Sequence, residues 1–216
     1  MNKTKISSFF TLILEILFPT AETIKRLAKK SKSELMLELT PSKNIDPETT
    51  ALFAYTDEKV KYLIWEIKYY QNQKMSELVG QLLAEKILKN LGDLRKSEKF
   101  FLIPIPLTKK RLRERGYNHT EMLAKSILRN LPENFSLIKD LLQKTRHTPK
   151  QNSIEDREKR FKNIAGAFSV ANSNQVRGEN ILLIDDVITT GATIHEAKQA
   201  LVSAGAKTVR AFAIGH

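Results

Sequence analysis

Two adjacent carboxylates, Asp185 and Asp186, follow the four apolar residues 181–184. A short apolar run of this kind, bounded by turn residues, is typical of a buried parallel strand. Residues 189–193 then form a Thr/Gly loop that leads into a helical pattern. Because a helix N-terminus presents unpaired N–H groups and the positive end of a dipole, it suits a phosphate. The neighbouring carboxylates can hold hydroxyls or a metal ion, so the expected ligand is a phosphorylated sugar.

The loop between the acids and the helix differs from the commoner phosphate loops. No lysine lies between Asp185 and Thr193, which excludes a Walker A loop. Gly191 is the one glycine of this stretch, which excludes a dinucleotide fingerprint. Thr193, followed three residues later by Glu196, predicts an N-cap and a capping box. The simpler alternative is an Asp pair that ends a strand and caps a turn.

A second segment with possible chemistry begins at Pro104 and Pro106, after a predicted strand, and continues into the basic residues Lys109 and Arg111. In an open α/β sheet, ligands bind beyond the carboxyl ends of the strands, so this turn and the Asp pair are expected to open onto the same crevice. Its basic side chains can meet a diphosphate. The alternative is a proline-rich corner followed by a solvated basic helix.

The composition limits the possible chemistry. The chain has 216 residues, 41% hydrophobic and 28% charged, as expected of a globular protein with one substantial core. It contains no cysteine, which excludes disulfides, thiolate catalysis and Cys-based zinc sites. His119, His147 and His195 are scattered along the chain, so we expect them at the surface or facing the substrate rather than in a metal cage.

The net charge of +12 is concentrated in two short segments, residues 108–115 and 143–162. One interpretation is a solvated basic face with weak nucleic-acid affinity. The interpretation we favour is a pair of loops around a highly anionic ligand, and the two are compatible.

Residues 6–18 are apolar but shorter than the roughly 20 residues that span a membrane, and Glu15 interrupts them. No small-residue cleavage site follows. We therefore expect a cytoplasmic protein without a membrane segment, in which this helix docks on the core or pairs with a second copy in a homodimer.

The elements around these segments alternate, which predicts an α/β fold: a central, mainly parallel sheet with helices on both faces. Predicted strands are residues 51–55, 100–105, 137–142, 167–170, 181–184 and 208–214. Predicted helices are residues 6–18, 21–39, a helix with the apolar stripe Val60, Leu63, Ile64 and Ile67, residues 76–91, a helix capped by Asn118 and Glu121, and residues 193–204. Residues 143–163 lack periodicity and are predicted to form a long loop.

The segment from Asp185 to Thr193 resembles the phosphoribosyl pyrophosphate (PRPP) motif of type I phosphoribosyltransferases. With Pro104-Ile-Pro-Leu107, Arg115-Gly-Tyr-Asn118, Thr145-Arg-His-Thr-Pro149 and Gly166-Ala-Phe168, it resembles the ComF family of competence-associated, phosphoribosyltransferase-like bacterial proteins. The resemblance implies a type I phosphoribosyltransferase fold over residues 51–216. Within it, residues 51–95 would supply the hood and lead-in helices, and residues 143–163 a mobile loop.

The chain departs from the family at its N-terminus. Leu17-Phe18-Pro19 is kept, but the four cysteines of the usual zinc finger are missing. We therefore expect no zinc, and we expect residues 1–50 to form a helical segment in place of the finger. Many relatives also have Phe and Gln where this chain has Tyr117 and His119.

The resemblance further implies transfer of ribose 5-phosphate from PRPP to a nucleobase or other nitrogen acceptor, with release of pyrophosphate. Asp185 and Asp186 would hold the ribose hydroxyls, and Arg146 would complete the catalytic set when the mobile loop closes. Mg²⁺ would be the cofactor, bound mostly through ligand oxygens and water. The other implied contacts are the 5′-phosphate site (Thr189, Thr190, Gly191, Ala192, Thr193), the pyrophosphate site (Thr108, Lys109, Arg111) and the mobile-loop residues (Thr148, Gln151, Arg157).

Two other functions stay open. One is a PRPP- or nucleotide-binding regulator that has lost turnover. The other is a nucleic-acid-binding accessory of DNA uptake, although the basic segments lack interleaved aromatic residues.

Overall fold

The computed structural model describes residues 26–27, 29–43, 46–92, 98–145 and 166–216. The helix predicted at residues 6–18 lies outside the described residues, as does most of the predicted mobile loop. The expected helical segment over residues 1–50 is described only from residue 26 onward.

Six helices and seven strands are described. The helices are α1 (Lys32–Glu38), α2 (Glu58–Tyr69), α3 (Gln73–Leu91), α4 (Lys109–Arg115), α5 (His119–Leu128) and α6 (Ala192–Ser203). The strands are β1 (Thr49–Phe53), β2 (Phe100–Pro104), β3 (Phe135–Leu137), β4 (Leu142–Lys144), β5 (Phe168–Val170), β6 (Asn180–Val187) and β7 (Thr208–Gly215).

Five of the strands form one sheet in the order β1-β7-β6-β2-β3, and all of its neighbouring pairs are parallel. Strand β6 lies at its centre, where Leu182 pairs with Leu102 of β2 and Arg210 of β7. Strands β4 and β5 form a separate antiparallel pair. The predicted parallel sheet is confirmed.

The apolar run of β6 is explained by helices on both faces of the sheet. Leu182 and Ile184 belong to the buried cluster that α2, α3 and α5 cover. Ile181 and Leu183 belong to a second cluster, which includes residues of α6 and of the β4–β5 pair. Because successive strand side chains point to opposite faces, a strand buried on both sides must be apolar at every position.

Helix α2 confirms the stripe predicted from its spacing, since Val60, Leu63, Ile64 and Ile67 are all buried. Helix α3 ends at Gly92, whose φ of 70° suits glycine.

Helix α1 begins later than predicted. Its N-cap is Ser31, which forms a capping box with Glu34, so the single helix predicted over residues 21–39 is broken before Lys32. Leu27, Leu35 and Leu39 are buried in the same cluster as α2 and α3, so this part of the N-terminal segment contributes to the core.

The strand predicted at residues 137–142 is wrong. Strand β3 ends at Leu137 in the central sheet, and β4 begins at Leu142 in the two-stranded sheet. The exposed polar residues Lys139 and Asp140 form the bend between them. The predicted loop therefore starts later than residue 143, because Gln143 and Lys144 pair with β5. Among the described residues, no helix is long and apolar enough to cross a membrane.

Candidate functional site

The two carboxylates lie at the carboxyl end of β6, and both are buried, with Asp185 8% and Asp186 6% exposed. The strand alternation separates them. Asp186 shares the face of Leu182 and Ile184 and contacts residues of α2 and α5. Asp185 has the parity of Leu183, toward the face that carries β4 and β5. Adjacent acids thus have different environments.

Asp186 is paired on both oxygens. Its Oδ2 contacts the Nζ of Lys68 in an ion pair and lies 3.0 Å from Nε2 of His119. Its Oδ1 accepts the backbone N–H of Val187 at 2.8 Å. Burial opposes ionisation, but the charge of Lys68 and the His119 bond outweigh it and hold the pKa of Asp186 well below its ordinary value. Asp186 is therefore expected to stay ionised at neutral pH.

Asp185 accepts the backbone N–H of Asp186 on its Oδ1 at 2.9 Å. Burial and the neighbouring charge of Asp186 raise the pKa of Asp185 well above its ordinary value. Two carboxyl groups this close resist a second charge, so Asp185 binds a proton more readily than a free carboxylate.

Lys68 and His119 are the partners that the sequence analysis missed. His119 is 3% exposed, which excludes a surface position, and it lines a cavity beside the acid pair, which agrees with the alternative expectation that it faces the substrate. It is the first residue of α5, and its ring points toward the end of β6. Lys68 lies off the apolar stripe of α2, where a lysine normally faces water, and no sequence signal separates it from its neighbours. Its partner Asp186 raises the pKa of Lys68 against the effect of burial.

The Arg-Gly-Tyr-Asn motif positions these two partners. Gly116 adopts a left-handed φ of 82° that ends α4, and the Asn118 side chain caps α5. Between them, the Tyr117 hydroxyl donates to the carbonyl oxygens of Ile67, at 3.3 Å, and of Lys68. The motif therefore fixes the C-terminal turn of α2, which carries Lys68, against the start of α5, which carries His119.

A cavity of about 230 Å³ opens above the two acids. Its charged and polar lining residues are Lys68, Tyr69, Thr108, Arg111, Arg115, His119, Thr120, Lys144, Asp185, Asp186 and Thr193. Burial and the charge of Arg111 lower the pKa of Lys144, which β4 carries to the cavity. The cavity is thus a basic pocket with an acidic floor, as an anionic sugar requires.

The predicted pyrophosphate contacts divide between two cavities. Thr108 and Arg111 line the cavity above the acids, and Thr108 also caps α4 through a 3.3 Å bond from the Arg111 N–H. Lys109 instead lines a neighbouring cavity of about 640 Å³, which shares Thr108 and Lys144 with the first. Arg146, Thr148, Gln151 and Arg157, assigned to the closing loop, lie outside the described residues.

The predicted phosphate loop, residues 189–193, connects β6 to α6, but its capping differs from the prediction. The N-cap is Gly191, with φ of 76°, and the helix begins at Ala192. The capping box of Thr193 and Glu196 is therefore wrong: glycine starts the helix two residues early, and Glu196 accepts the N–H of Gly166 at 2.9 Å. Gly191 has no side chain to cap the helix, and the N–H of Ala192 is donated to Thr190 Oγ1 at 3.5 Å. The first turn of α6 can offer its other N–H groups to a ligand.

Comparisons with known proteins find relatives of this chain. The family model for the phosphoribosyl transferase domain matches residues 120–214. Competence protein F of Haemophilus influenzae is 28% identical over 160 residues, 73% of this chain and 68% of that protein. Competence protein ComFC of Bacillus subtilis is 36% identical over 118 residues, 53% of this chain and 44% of that protein. Over these stretches the chain is similar to the ComF proteins. Its fold is the predicted type I phosphoribosyltransferase fold.

Other relatives and structures are more distant. The DNA utilization protein YhgH of Escherichia coli O157:H7 is 27% identical over 154 residues, 70% of this chain and 65% of that protein. The chain thus spans between less than half and about two thirds of these ComF relatives. A crystal structure of the L. donovani hypoxanthine-guanine phosphoribosyl transferase aligns at 12% identity with a TM-score of 0.41, covering 65% of this chain and 71% of that one.

Proposed function

We propose that this site binds PRPP and transfers its phosphoribosyl group to a nucleobase or other nitrogen acceptor, releasing pyrophosphate. The observation that carries the proposal is the acid pair at the end of β6, beside the N-terminus of α6. Asp186 has a lowered pKa and is ionised, whereas Asp185 has a raised pKa and binds a proton more readily. Asp185 and Asp186 would face the ribose hydroxyls from the floor of the basic cavity. Residues 189–193 would hold the 5′-phosphate through backbone N–H groups.

Three basic side chains support the proposed pyrophosphate contact. Arg111 and Lys144 line the same cavity as the acid pair, and Lys109 lines the adjoining cavity. A depressed pKa leaves Lys144 suited to gain charge stabilisation from an anion that enters beside it. Phosphoryl oxygens accept hydrogen bonds from all three side chains. The pyrophosphate would thus contact Arg111 and Lys144 in the cavity above the acids and Lys109 at the adjoining one.

The acids fit the charge changes of the reaction. As the bond from C1′ to pyrophosphate breaks and the bond from C1′ to the acceptor nitrogen forms, positive charge develops on the ribose. Asp186, a fixed anion, would stabilise that charge electrostatically. Asp185, whose pKa is raised, is the group suited to take the proton that the acceptor nitrogen loses.

The divalent cation belongs with the substrate. Both oxygens of Asp186 already accept bonds, and among the described residues no cluster of three or more His, Asp or Glu side chains could hold a metal ion. Mg²⁺ would enter with PRPP, coordinated by PRPP oxygens and water, as this hard cation prefers.

A binding function without turnover is the second candidate. It is favoured by the Lys68 ion pair, which engages Asp186 and must adjust if the carboxylate is to contact the ribose. The relatives are named for competence and DNA utilization, which suits a regulator or an accessory of DNA uptake. PRPP binding without pyrophosphate release would distinguish this candidate from the enzyme.

The test is pyrophosphate release from PRPP and Mg²⁺ in the presence of pooled nucleobases. We expect release from the wild type and none from the Asp185→Ala, Asp186→Ala double variant. Glu133→Gln is the matched control, because Glu133 is an exposed acid that precedes β3, near the amino ends of the parallel strands, whereas the acid pair lies at the carboxyl end of β6. Release that survives in the double variant would contradict the proposal; release in single-base reactions would identify the acceptor.

A further inference from the structure

The ring of His119 bridges two charged side chains. Its Nδ1 lies 2.8 Å from Nη1 of Arg115, and its Nε2 lies 3.0 Å from Oδ2 of Asp186. A guanidinium carries hydrogen-bond donors and no acceptor, so Nδ1 must be the acceptor of the first contact. The ring proton therefore lies on Nε2, where it is donated to Asp186. This tautomer is neutral, because a proton on Nδ1 would face the Arg115 N–H.

We infer that His119 is a positioning residue of the site: a neutral, single-tautomer donor that orients Asp186, rather than an acid or base that exchanges protons with the substrate. Arg115 determines the tautomer, and Asp186 receives the hydrogen bond. The tautomer stands on the geometry alone. The consequence for ligand binding rests on the proposed PRPP function.

Charged groups from each neighbouring element agree with a neutral ring. Lys68 of α2 and Arg115 of α4 are cations that oppose its protonation, whereas Asp186 of β6 favours it. Asp185 lies beside Asp186 and binds a proton more readily than a free carboxylate. Burial is the largest effect, and with the two cations it outweighs Asp186, so the pKa of His119 is lowered below its ordinary value.

Arg115 is itself held in place. Its guanidinium carbon lies 4.8 Å from the centre of the Tyr69 ring, over the ring face, which is a cation–π contact. Tyr69 ends α2 and Arg115 ends α4, while Gly116 turns the chain into α5. The turn between α4 and α5 therefore fixes the direction of both hydrogen bonds: Arg115 donates to His119, and His119 donates to Asp186.

The role needs one N–H at the position of Nε2, and not an ionisable ring. A glutamine side chain can supply an amide N–H there, whereas leucine fills the space without a donor. Loss of a hydrogen bond to a charged group should weaken a site that depends on that group by about tenfold or more. His119→Gln should therefore behave like the wild type, and His119→Leu should not.

The first arm of the test is nitrogen-15 NMR of the full chain, with the His119→Gln spectrum assigning the ring signals. We expect the Nε2–H tautomer at neutral pH, and a titration midpoint of His119 below that of an ordinary histidine. Arg115→Met removes the donor that fixes the tautomer, so there the midpoint should rise and the Nδ1–H tautomer should become populated. An Nδ1–H tautomer in the wild type, or a midpoint above that of an ordinary histidine, would overturn the inference.

The second arm is equilibrium binding of PRPP with Mg²⁺ to the same variants. We expect His119→Gln to stay within about threefold of the wild type and His119→Leu to bind about tenfold or more weakly. Equal affinity of both variants would overturn the positioning role. If the wild type itself fails to bind PRPP, the proposed function fails, while the NMR arm still decides the tautomer of His119 on its own.

Discussion

Asp185 and Asp186 are neighbours in sequence, but the alternation of β6 gives them opposite surroundings. Asp186 faces two donors from the helical layer, Lys68 and His119. Asp185 is buried beside that charge and binds a proton more readily. The sequence pattern identified the pair and its loop as the centre of the chemistry. It could not distinguish the two acids, because the partners of Asp186, His119 and Lys68, lie 67 or more residues away in the sequence.

Asp185→Asn should stabilise the protein at neutral pH by about 1 kcal/mol while removing PRPP binding. The raised pKa means that the charged form of Asp185 is disfavoured in the folded protein. The contribution of Asp185 to the stability of the wild type is therefore fully present below its ordinary pKa of 3.8. That contribution is lost as pH rises through the pKa of Asp185 in the folded protein. Urea unfolding at pH 4 and pH 7 checks this, since the advantage of Asn should appear only at the higher pH. A variant that is less stable than the wild type at pH 7 would contradict the account.

Lys68→Met should destabilise the protein by about 2 kcal/mol at pH 7, because it leaves the buried Asp186 charge without its cation. This figure is at the low end for a buried pair because the Lys68 side chain is 24% exposed. The lowered pKa of Asp186 gives stability that is present above its ordinary pKa and lost as pH falls through the folded-state value, so the variant's deficit should shrink in acid. Urea unfolding across that range measures it.

The matched control is Lys61→Met on the same helix. Lys61 is exposed and pairs with Glu58 three residues earlier at 2.6 Å, a surface pair of small energy. We expect a change within about 0.5 kcal/mol. A Lys68 variant that behaves like the Lys61 variant at every pH would show that the Asp186 pair adds nothing to stability.

The periodicity of α2 predicted its buried face completely, because a stripe of apolar residues can pack only one way on a sheet. Sequence patterns failed to predict element boundaries where the backbone conformation of one or two residues sets the boundary. Gly191 started α6 two residues before the predicted Thr193 cap, and a polar bend divided residues 137–142 between two sheets. Turns depend on backbone angles that side-chain patterns do not encode.

The crossing of α3 and α5 offers a test of the helical layer. Gly80 of α3 packs so closely on α5 that an added Cβ would lie 2.6 Å from Ser126 Cβ and 2.8 Å from its backbone carbon. A helical Gly→Ala change normally stabilises by about 1 kcal/mol. Gly80→Ala should instead destabilise by about 1–3 kcal/mol, because the two helices must separate. Thermal and urea unfolding measure this.

Ser126→Gly provides the matched rescue of that variant. It removes the Cβ that the methyl group added at position 80 meets at the shortest distance, but it leaves the backbone contact, so the double variant should recover part of the loss. Lys89→Ala, an exposed change on the last turn of α3, is the neutral control. Greater stability of Gly80→Ala than of the wild type would contradict this packing.

In the whole molecule, the candidate site is formed by residues from several helices and strands. Helices α2 and α4, strand β4 and strand β6 each bring a charged side chain to one cavity, and α5 brings the neutral ring of His119. The sequence predicted the α/β class and the central strand, since these depend on local pattern. It missed Lys68, His119 and Lys144 because helix faces and a hairpin of the fold, rather than a motif, carry them to the acids.

The net charge of +12 predicts a PRPP affinity that depends on ionic strength. Between about 50 and 300 mM salt, we expect the dissociation constant to rise several-fold as screening shortens to a few ångströms. Lys109→Gln should reduce this dependence, because Lys109 lines the adjoining basic cavity. Lys89→Gln, an exposed lysine on α3 away from both cavities, should leave it unchanged. Titrations of PRPP at several salt concentrations measure this dependence. The same dependence of the dissociation constant on salt in both variants would contradict the prediction.

The most direct measurement is a calorimetric titration of PRPP with Mg²⁺ into the full chain, beside the Asp185→Ala, Asp186→Ala double variant. We predict saturable one-to-one binding to the wild type and to Glu133→Gln, and none to the double variant, which should still unfold in one cooperative transition. A wild type that does not bind, or a folded double variant that binds as tightly as the wild type, would contradict the assignment of this site.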